Sequence, residues 1–312
     1  MEMIRKDGAF LSADGITELP YTLYLPQEKE PSAILQITHG MCEYFERYRP
    51  TIEYFVSRGF AVCGYDQLGH GKRAIDAGTN GWFAKKGGHE ILPEDVYRMS
   101  RAVRAELPDL PLFLLGHSLG SIVIRNTAVK HGREYAGVIF MGTNAHNPMI
   151  HVAIALATTM KLFRGEWYRS AFLRNAGFLG YNKRWPEENM PNSWISSDPE
   201  HRINALKDPL GGYKFTLSAN LDLYRMMRAI NTPKWAKKLP KRLPVLLISG
   251  EHDPLGGDGE GIRKLAVWLE KAGMKDVSVT LIPKGRHEVL NDYCAEETLE
   301  AMYDFLGRHI PV

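Results

Sequence analysis

Five consecutive residues, Gly116-His117-Ser118-Leu119-Gly120, place a hydroxyl between two glycines. The apolar run PLFLL leads in and SIVIRNTAVK follows, so a buried strand gives way to a helix at the serine. In G-x-S-x-G the chain turns so sharply that the serine takes a strained backbone and its neighbours must be tiny. The turn lifts the hydroxyl above the carboxyl end of a sheet, beside a helix N-terminus that favours developing negative charge. That is the setting of a nucleophilic serine. The competing reading is a strand-to-helix turn with an inert serine.

A serine hydroxyl needs a base to attack at neutral pH. The chain has 11 histidines, so position must select among them. In this topology an acid and then a histidine follow the serine, each in a loop after a later strand. Asp253 follows LPVLLISG and His287 follows VSVTLIPKG. A lone loop aspartate is usually a turn residue, and a lone loop histidine a surface one. Their occurrence in order after successive strands points to a triad, with His287 within hydrogen-bond reach of Ser118. An oxyanion also needs fixed backbone donors. Leu119, next after the serine, is one expected donor. Met41, after the turn His39-Gly40 that ends SAILQITHG, is the other.

The elements that must hold these residues form an alternating series. SAILQITHG, FAVCGYD, PLFLLGHS, YAGVIFMGT, LPVLLISG and VSVTLIP read as strands, and ELPYTLYLP as an edge strand. YRPTIEYFVSRG, PEDVYRMSRAVRAEL, GIRKLAVWLEKAG and EETLEAMYDFLGRH read as helices. Strands separated by helices imply an α/β domain with a mostly parallel central sheet flanked by helices. From about Ala145 to Thr232 no strand is visible, only helical segments such as MIHVAIALATTMKLF and FTLSANLDLYRMMRAI. The expected organisation is a core of residues 1–144 and 233–312 interrupted by a helical insertion, 145–232.

Composition narrows the function. The chain has 312 residues, 44% apolar and 24% charged, as in ordinary globular proteins. With 39 basic and 36 acidic residues, a net charge of +3 argues against nucleic acid as a partner. Three cysteines without metal-like spacing read as reduced thiols, and a cytoplasmic location is expected. No secretory leader or membrane-spanning window is visible. GGDGEG lacks dinucleotide-binding spacing and no metal-ligand motif occurs, so neither cofactor nor metal is expected. The sequence does not reveal an oligomeric state.

Taken together, THGMCEYFERY, YDQLGHGKR, GHSLG, GEHDP and GRHEVLND resemble the α/β-hydrolase superfamily, in its monoacylglycerol lipase and lysophospholipase group. The resemblance covers nearly the whole chain. It implies an α/β-hydrolase fold with an inserted helical cap, Ser118 as nucleophile, His287 as base and acid, and Asp253 as its partner. It also implies Met41 and Leu119 as oxyanion donors. Asp66 and His70 lie in a matched motif and read as loop-structuring residues. Cys42 stands where the family usually has glycine, and Arg73 where it often has serine.

The expected activity is a serine carboxylic-ester hydrolase acting on monoacylglycerols or lysophospholipids, small-molecule lipid or ester substrates, through an acyl-enzyme. Ile150, Ile154 and Phe163 of the insertion are expected to line an acyl pocket. Lys161, Arg164, Arg169 and Arg174 accompany this apolar run, so peripheral membrane contact through the cap is a further reading. Two alternatives stay open. A peptidase or amidase would need a cap carboxylate, for which Glu187, Glu188 and Asp222 are available. A non-catalytic ligand-binding member would retain the scaffold alone.

Overall fold

The computed structural model describes residues 3–310. Eight strands form one sheet in the order β1-β2-β4-β3-β5-β6-β7-β8. They are β1 Met3–Leu11, β2 Glu18–Pro26, β3 Ala33–Thr38, β4 Phe60–Tyr65, β5 Leu112–His117, β6 Gly137–Met141, β7 Val245–Gly250 and β8 Val277–Ile282. β2 runs antiparallel to both β1 and β4, and every pair from β4 onward is parallel. The central strands are apolar on both faces because helices cover both. Leu112 and Leu114 of β5 face one core with Val138 and Val245, while Phe113 and Leu115 face the other with Ile139 and Leu246. Each such side chain contributes about 1.5–3 kcal/mol by leaving water.

The helices Gly88–Glu106, Leu119–His131 and Glu260–Lys271 pack on the first face, and Arg49–Ser57 and Ala295–Gly307 on the second. Three departures from the sequence reading have local causes. β1, with its charged run Arg5-Lys6-Asp7, is a largely exposed edge strand that carries little apolar alternation. It covers β2, which is therefore not an edge strand. The helix read as beginning at Pro93 starts at Gly88, with Pro93 inside it. Between β6 and β7 the chain is helical: Ile150–Arg164, Ala171–Gly177, Pro199–Lys207, Leu217–Ile230 and Pro233–Ala236. Leu217–Ile230 is amphipathic, and its Leu223, Met226 and Ile230 are continuous with the first core. The inserted segment is thereby anchored directly to the sheet domain.

Candidate active site

Ser118 stands between β5 and the helix Leu119–His131 with φ 52° and ψ −116°, a left-handed conformation rare for a residue with a side chain. Its glycines are there for space. A Cβ on Gly116 would run into the Gly120 carbonyl, and one on Gly120 into the Thr38 carbonyl of β3. The amides of Ser121 and Ile122 close back on the Ser118 carbonyl at 3.0 and 3.2 Å. Those of Leu119 and Met41 donate to no backbone carbonyl among the described residues. Gly40 brings Met41 to the elbow: its own Cβ would sit 3.2 Å from Ser118 Cβ.

β7 and β8 carry the other two residues to the same sheet edge. His287 Nδ1 donates to Asp253 Oδ2 at 3.0 Å, and both side chains are buried. Burial opposes ionisation of Asp253. The charge and hydrogen bond of His287 outweigh it, aided by the Leu255 amide and Ser249 hydroxyl, and hold the carboxyl below its ordinary range. This bond leaves Nε2 of His287 as the ring's acceptor. The ring packs against His117 and Trp194, with centroids 4.9 and 4.8 Å away. Below it, Gly142 has φ +52°, and a Cβ there would lie 3.2 Å from the ring's Cε1. The structure does not join Nε2 to the Ser118 hydroxyl by a hydrogen bond. Such contacts are often long in an empty site and tighten around substrate.

The His287 loop is also tied to the inserted segment. The His287 and Glu288 amides donate to the carbonyls of Trp194 and Ile195 at 3.2 and 2.7 Å. Arg286 grips both oxygens of Glu188, at 2.9 and 2.6 Å, and stacks over Trp185.

Sequence reasoning gave no role to a buried polar knot beneath the turn His39-Gly40-Met41. Glu43 accepts from the Gly40 amide, from Tyr48 Oη at 2.7 Å, from His117 Nδ1 at 3.1 Å and from Arg47 Nη1 at 2.7 Å. Burial opposes its ionisation, but the hydrogen bond and charge of His117, and then Arg47, hold Glu43 well below the ordinary carboxylate range. His117 also donates from Nε2 to the His287 carbonyl at 3.3 Å. Both ring nitrogens face acceptors, which requires the imidazolium. Burial disfavours that charge, but Glu43 outweighs it and raises the His117 pKa. Arg47 continues to Glu288, which also binds His201. The signal was Glu43 and Arg47-Tyr48 trailing His39-Gly40, but only the fold brings them under His117.

The remaining expected residues scatter. Asp66 accepts from the Phe45 amide at 2.8 Å, and His70 is buried among Phe83, Phe215 and His39, as loop-structuring residues would be. Burial pulls the His70 pKa down to about 3, so the ring is neutral. Cys42 takes φ 57°, a conformation suited to glycine, and its thiol donates to the Tyr213 carbonyl at 3.1 Å. Ile150 is buried, and Ile154 packs beside Ala157, Leu173 and Leu217. Phe163 departs from expectation: it is 83% exposed. At 100° per residue it lies half a turn around the helix from Ile154, so the two cannot face one pocket. Of the carboxylates, Glu188 is engaged by Arg286, Asp222 is buried against His89, and Glu187 is exposed.

A parallel sheet with a strained serine turn, followed by an acid loop and a histidine loop at the same edge, defines an α/β-hydrolase. The chain matches the family Hydrolase_4, described as serine aminopeptidase S33, over residues 29–293, and belongs to it. It is 30% identical to a thermostable carboxyl esterase from Bacillus coagulans solved with glycerol, with a TM-score of 0.90 over 99% of this chain and 100% of that one. A structure described as a lipase in open form is 24% identical, with a TM-score of 0.91 over 99% and 100%. A monoacylglycerol lipase of Mycolicibacterium smegmatis is 22% identical over 98% of both chains. The chain is a serine hydrolase.

Proposed function

We propose that the protein is a carboxylic-ester hydrolase that cleaves monoacylglycerols or lysophospholipids through an acyl-enzyme on Ser118. The observation that carries this is the strained Ser118 turn, flanked by the unengaged Met41 and Leu119 amides, on the sheet edge that bears the Asp253–His287 pair. Ser118 Oγ attacks the ester carbonyl carbon as Nε2 of His287 takes its proton. The two amides hold the oxyanion, which collapses as His287 returns the proton to the leaving alkoxide. Water then gives a proton to His287 as it attacks the acyl-enzyme, and the second tetrahedral intermediate expels Ser118 Oγ, which regains the proton from His287 as the carboxylic acid leaves. Asp253 keeps the tautomer and stabilises the imidazolium.

In this reading residues 3–144 and 233–310 form the catalytic core and 145–232 a cap. Ile150 and Ile154 lie on the inward face of its first helix. Phe163, Leu162, Leu179 and Phe172 are 83, 80, 81 and 61% exposed beside Lys161, Arg164 and Arg174, which suits contact with an anionic lipid surface. No helix among the described residues is long and apolar enough to cross a membrane. The three free cysteines fit a reducing compartment such as the cytoplasm. An aminopeptidase would need a free carboxylate for the substrate amine; Arg286 engages Glu188 and His89 engages Asp222, which leaves exposed Glu187 as the carboxylate that reading would have to use.

The test has two arms. A fluorophosphonate should label the protein but not Ser118→Ala, and that variant should lose ester turnover by ~10³-fold or more while remaining folded. With monoacyl esters kept below micelle formation, kcat/KM should rise up to roughly fourfold per added methylene and then level off. Retained turnover in Ser118→Ala would remove the nucleophile assignment. A preference for acetyl over octanoyl esters would remove the lipid assignment.

A further inference from the structure

A cavity lies behind the acid loop, about 310 Å³ in volume, between the turn after β6, the end of the helix Leu217–Ile230 and the start of the helix Glu260–Lys271. Arg125, Ala145, Ile230, Leu265 and Trp268 line it. Arg125 is 1% exposed. Its Nη atoms donate to Thr143 Oγ1, to Asn144 and to the Ile230 carbonyl, at 3.1–3.3 Å, and its guanidinium lies 4.3 Å over Trp235. All these partners are neutral. Nε is buried without any partner, and burial, with no carboxylate to oppose it, pulls the guanidinium pKa down to about 9. A buried cation that leaves a donor unmatched is costly unless an anion reaches it.

Two further features favour negative charge. The helix Glu260–Lys271 begins at Gly259, φ 81°, with no side-chain cap. The amides of Gly261 and Ile262 in its first turn donate to no backbone carbonyl, and they add the positive end of the helix dipole. Leu265, Trp268, Ala145 and Ile230 form an apolar stretch of the remaining wall, which Asn144, His146 and the charged pair Glu260 and Lys264 complete. At the rim Glu260 and Lys264 stand 3.9 Å apart, both largely exposed, and offset each other's charge, which leaves Arg125 as the one buried cation among the described residues facing the cavity. One unit of negative charge on a short apolar tail is the chemistry that matches.

We propose that this cavity binds a small monocarboxylate with an aliphatic tail of about six carbons, the lower end of small-molecule pocket sizes. The carboxylate faces Arg125 and the first turn of the helix, and the tail lies against Leu265 and Trp268. This site is separate from Ser118 and stands independently of the ester-hydrolase reading. Its walls include Asn144 and Ala145, just after the Gly142 beneath His287, and Ala145 donates to the Leu255 carbonyl of the acid loop at 3.0 Å.

The experiment is a titration of the full chain, labelled with 5-fluorotryptophan, with sodium hexanoate, followed by fluorine NMR. Trp268 reports the cavity and Trp194 reports the candidate active site. Their resonances are assigned with Trp268→Phe and Trp194→Phe. The expected result is a saturable shift of the Trp268 resonance with a Kd of about 1 mM or below. Hexan-1-ol should not reproduce it at equal concentration. Arg125→Met, which keeps the stem against Trp235, should weaken binding tenfold or more. Leu265→Phe, which fills the cavity without touching Arg125's hydrogen bonds, should do the same and decides the matter if Arg125→Met does not fold. An unmoved Trp268 resonance up to about 50 mM, an equal response to the alcohol, or unchanged affinity in Leu265→Phe would each overturn the proposal. A shift at Trp194 alone would place the carboxylate at the candidate active site and overturn this site while leaving the hydrolase reading standing.

Discussion

Glu43→Gln is the most informative perturbation of the knot beneath the turn His39-Gly40-Met41, which the proposed mechanism uses to hold the oxyanion. Four donors converge on the Glu43 carboxylate: the Gly40 amide, Tyr48 Oη and His117 Nδ1 on one oxygen, and Arg47 Nη1 on the other. A glutamine of the same shape offers one oxygen and one NH₂. Either Arg47 or the other three must then meet a donor. A charge-assisted bond lost in this way costs about 1.5–3 kcal/mol, and breaking one side of a buried ion pair about 3–5. A loss near 3 kcal/mol is expected in urea unfolding at neutral pH. The rate should fall further than stability suggests, because Glu43 fixes the amide of Gly40 and so the attitude of Met41. Loss of one oxyanion donor lowers kcat by ~10²–10³. A kcat about 100-fold lower with KM nearly unchanged is the expected signature on a soluble hexanoyl ester. Tyr48→Phe, which removes one neutral donor, should cost about 1 kcal/mol and little of kcat. The stability gap should depend on pH. Because the folded pKa of Glu43 is depressed, its contribution is full above the ordinary carboxylate pKa and fades as pH falls toward the depressed value. A folded Glu43→Gln enzyme with kcat within about threefold of the parent would refute the coupling between Glu43 and the oxyanion turn.

Three other predictions concern separate parts of the chain. Cys42→Gly should be more stable than Cys42→Ala by ~1 kcal/mol in chemical denaturation, reversing the usual order, because both lose the thiol contact and only glycine relieves φ 57°. Asp95, buried and accepting from Ser12 and the Ala13 amide, has its pKa pushed up to about 7, first by burial. The folded state then holds a proton that the unfolded chain has released, so stability should decline as pH rises from about 4 to about 7. Asp95→Asn should flatten that slope in thermal melts, and an unchanged slope would clear Asp95. Phe163→Ser combined with Leu162→Ser should weaken sedimentation with anionic phospholipid vesicles without changing turnover of a soluble ester, since both side chains are at least 80% exposed. Undiminished vesicle binding would remove that face from consideration.

Much of this arrangement was legible in the sequence because it is written at strand ends. Ser118, Asp253 and His287 each follow a short apolar run, and such runs become the inner strands of a parallel sheet whose carboxyl ends share one edge. β1 was not legible, since an edge strand with one solvated face needs few apolar residues. Nor was the start of the helix at Gly88, because Pro93 resembles a first-turn residue. Phe163 shows the limit of counting apolar residues: hydrophobicity places a side chain on a helix, but only the phase of that helix against its neighbours says which face is covered. Glu43 shows the complementary limit. Its bonding partners are Arg47 and Tyr48 from the adjoining turn and His117 from β5, and no local spacing announces that meeting.

The backbone pairing of Trp194 and Ile195 with His287 and Glu288 bears on how interchangeable the parts of this enzyme are. An inserted segment is easily imagined as a module that a designer, or recombination, can swap to change substrate range. Here the segment holds the loop that carries His287. Arg286 is clamped by Glu188 and by the Ser193 carbonyl, and the two amides beyond it hang on Trp194 and Ile195. A graft that replaces 145–232 wholesale removes the carbonyls on which the His287 loop hangs. A successful exchange must carry over the stretch from Glu188 to Ile195 and join the foreign helices on either side of it. The order of synthesis imposes a related condition: the serine turn, then the insertion, then Asp253 and His287 leave the ribosome. The segment that holds the His287 loop is thus made well before the loop itself, and the side chains of the site are all present only once the chain through His287 has been made.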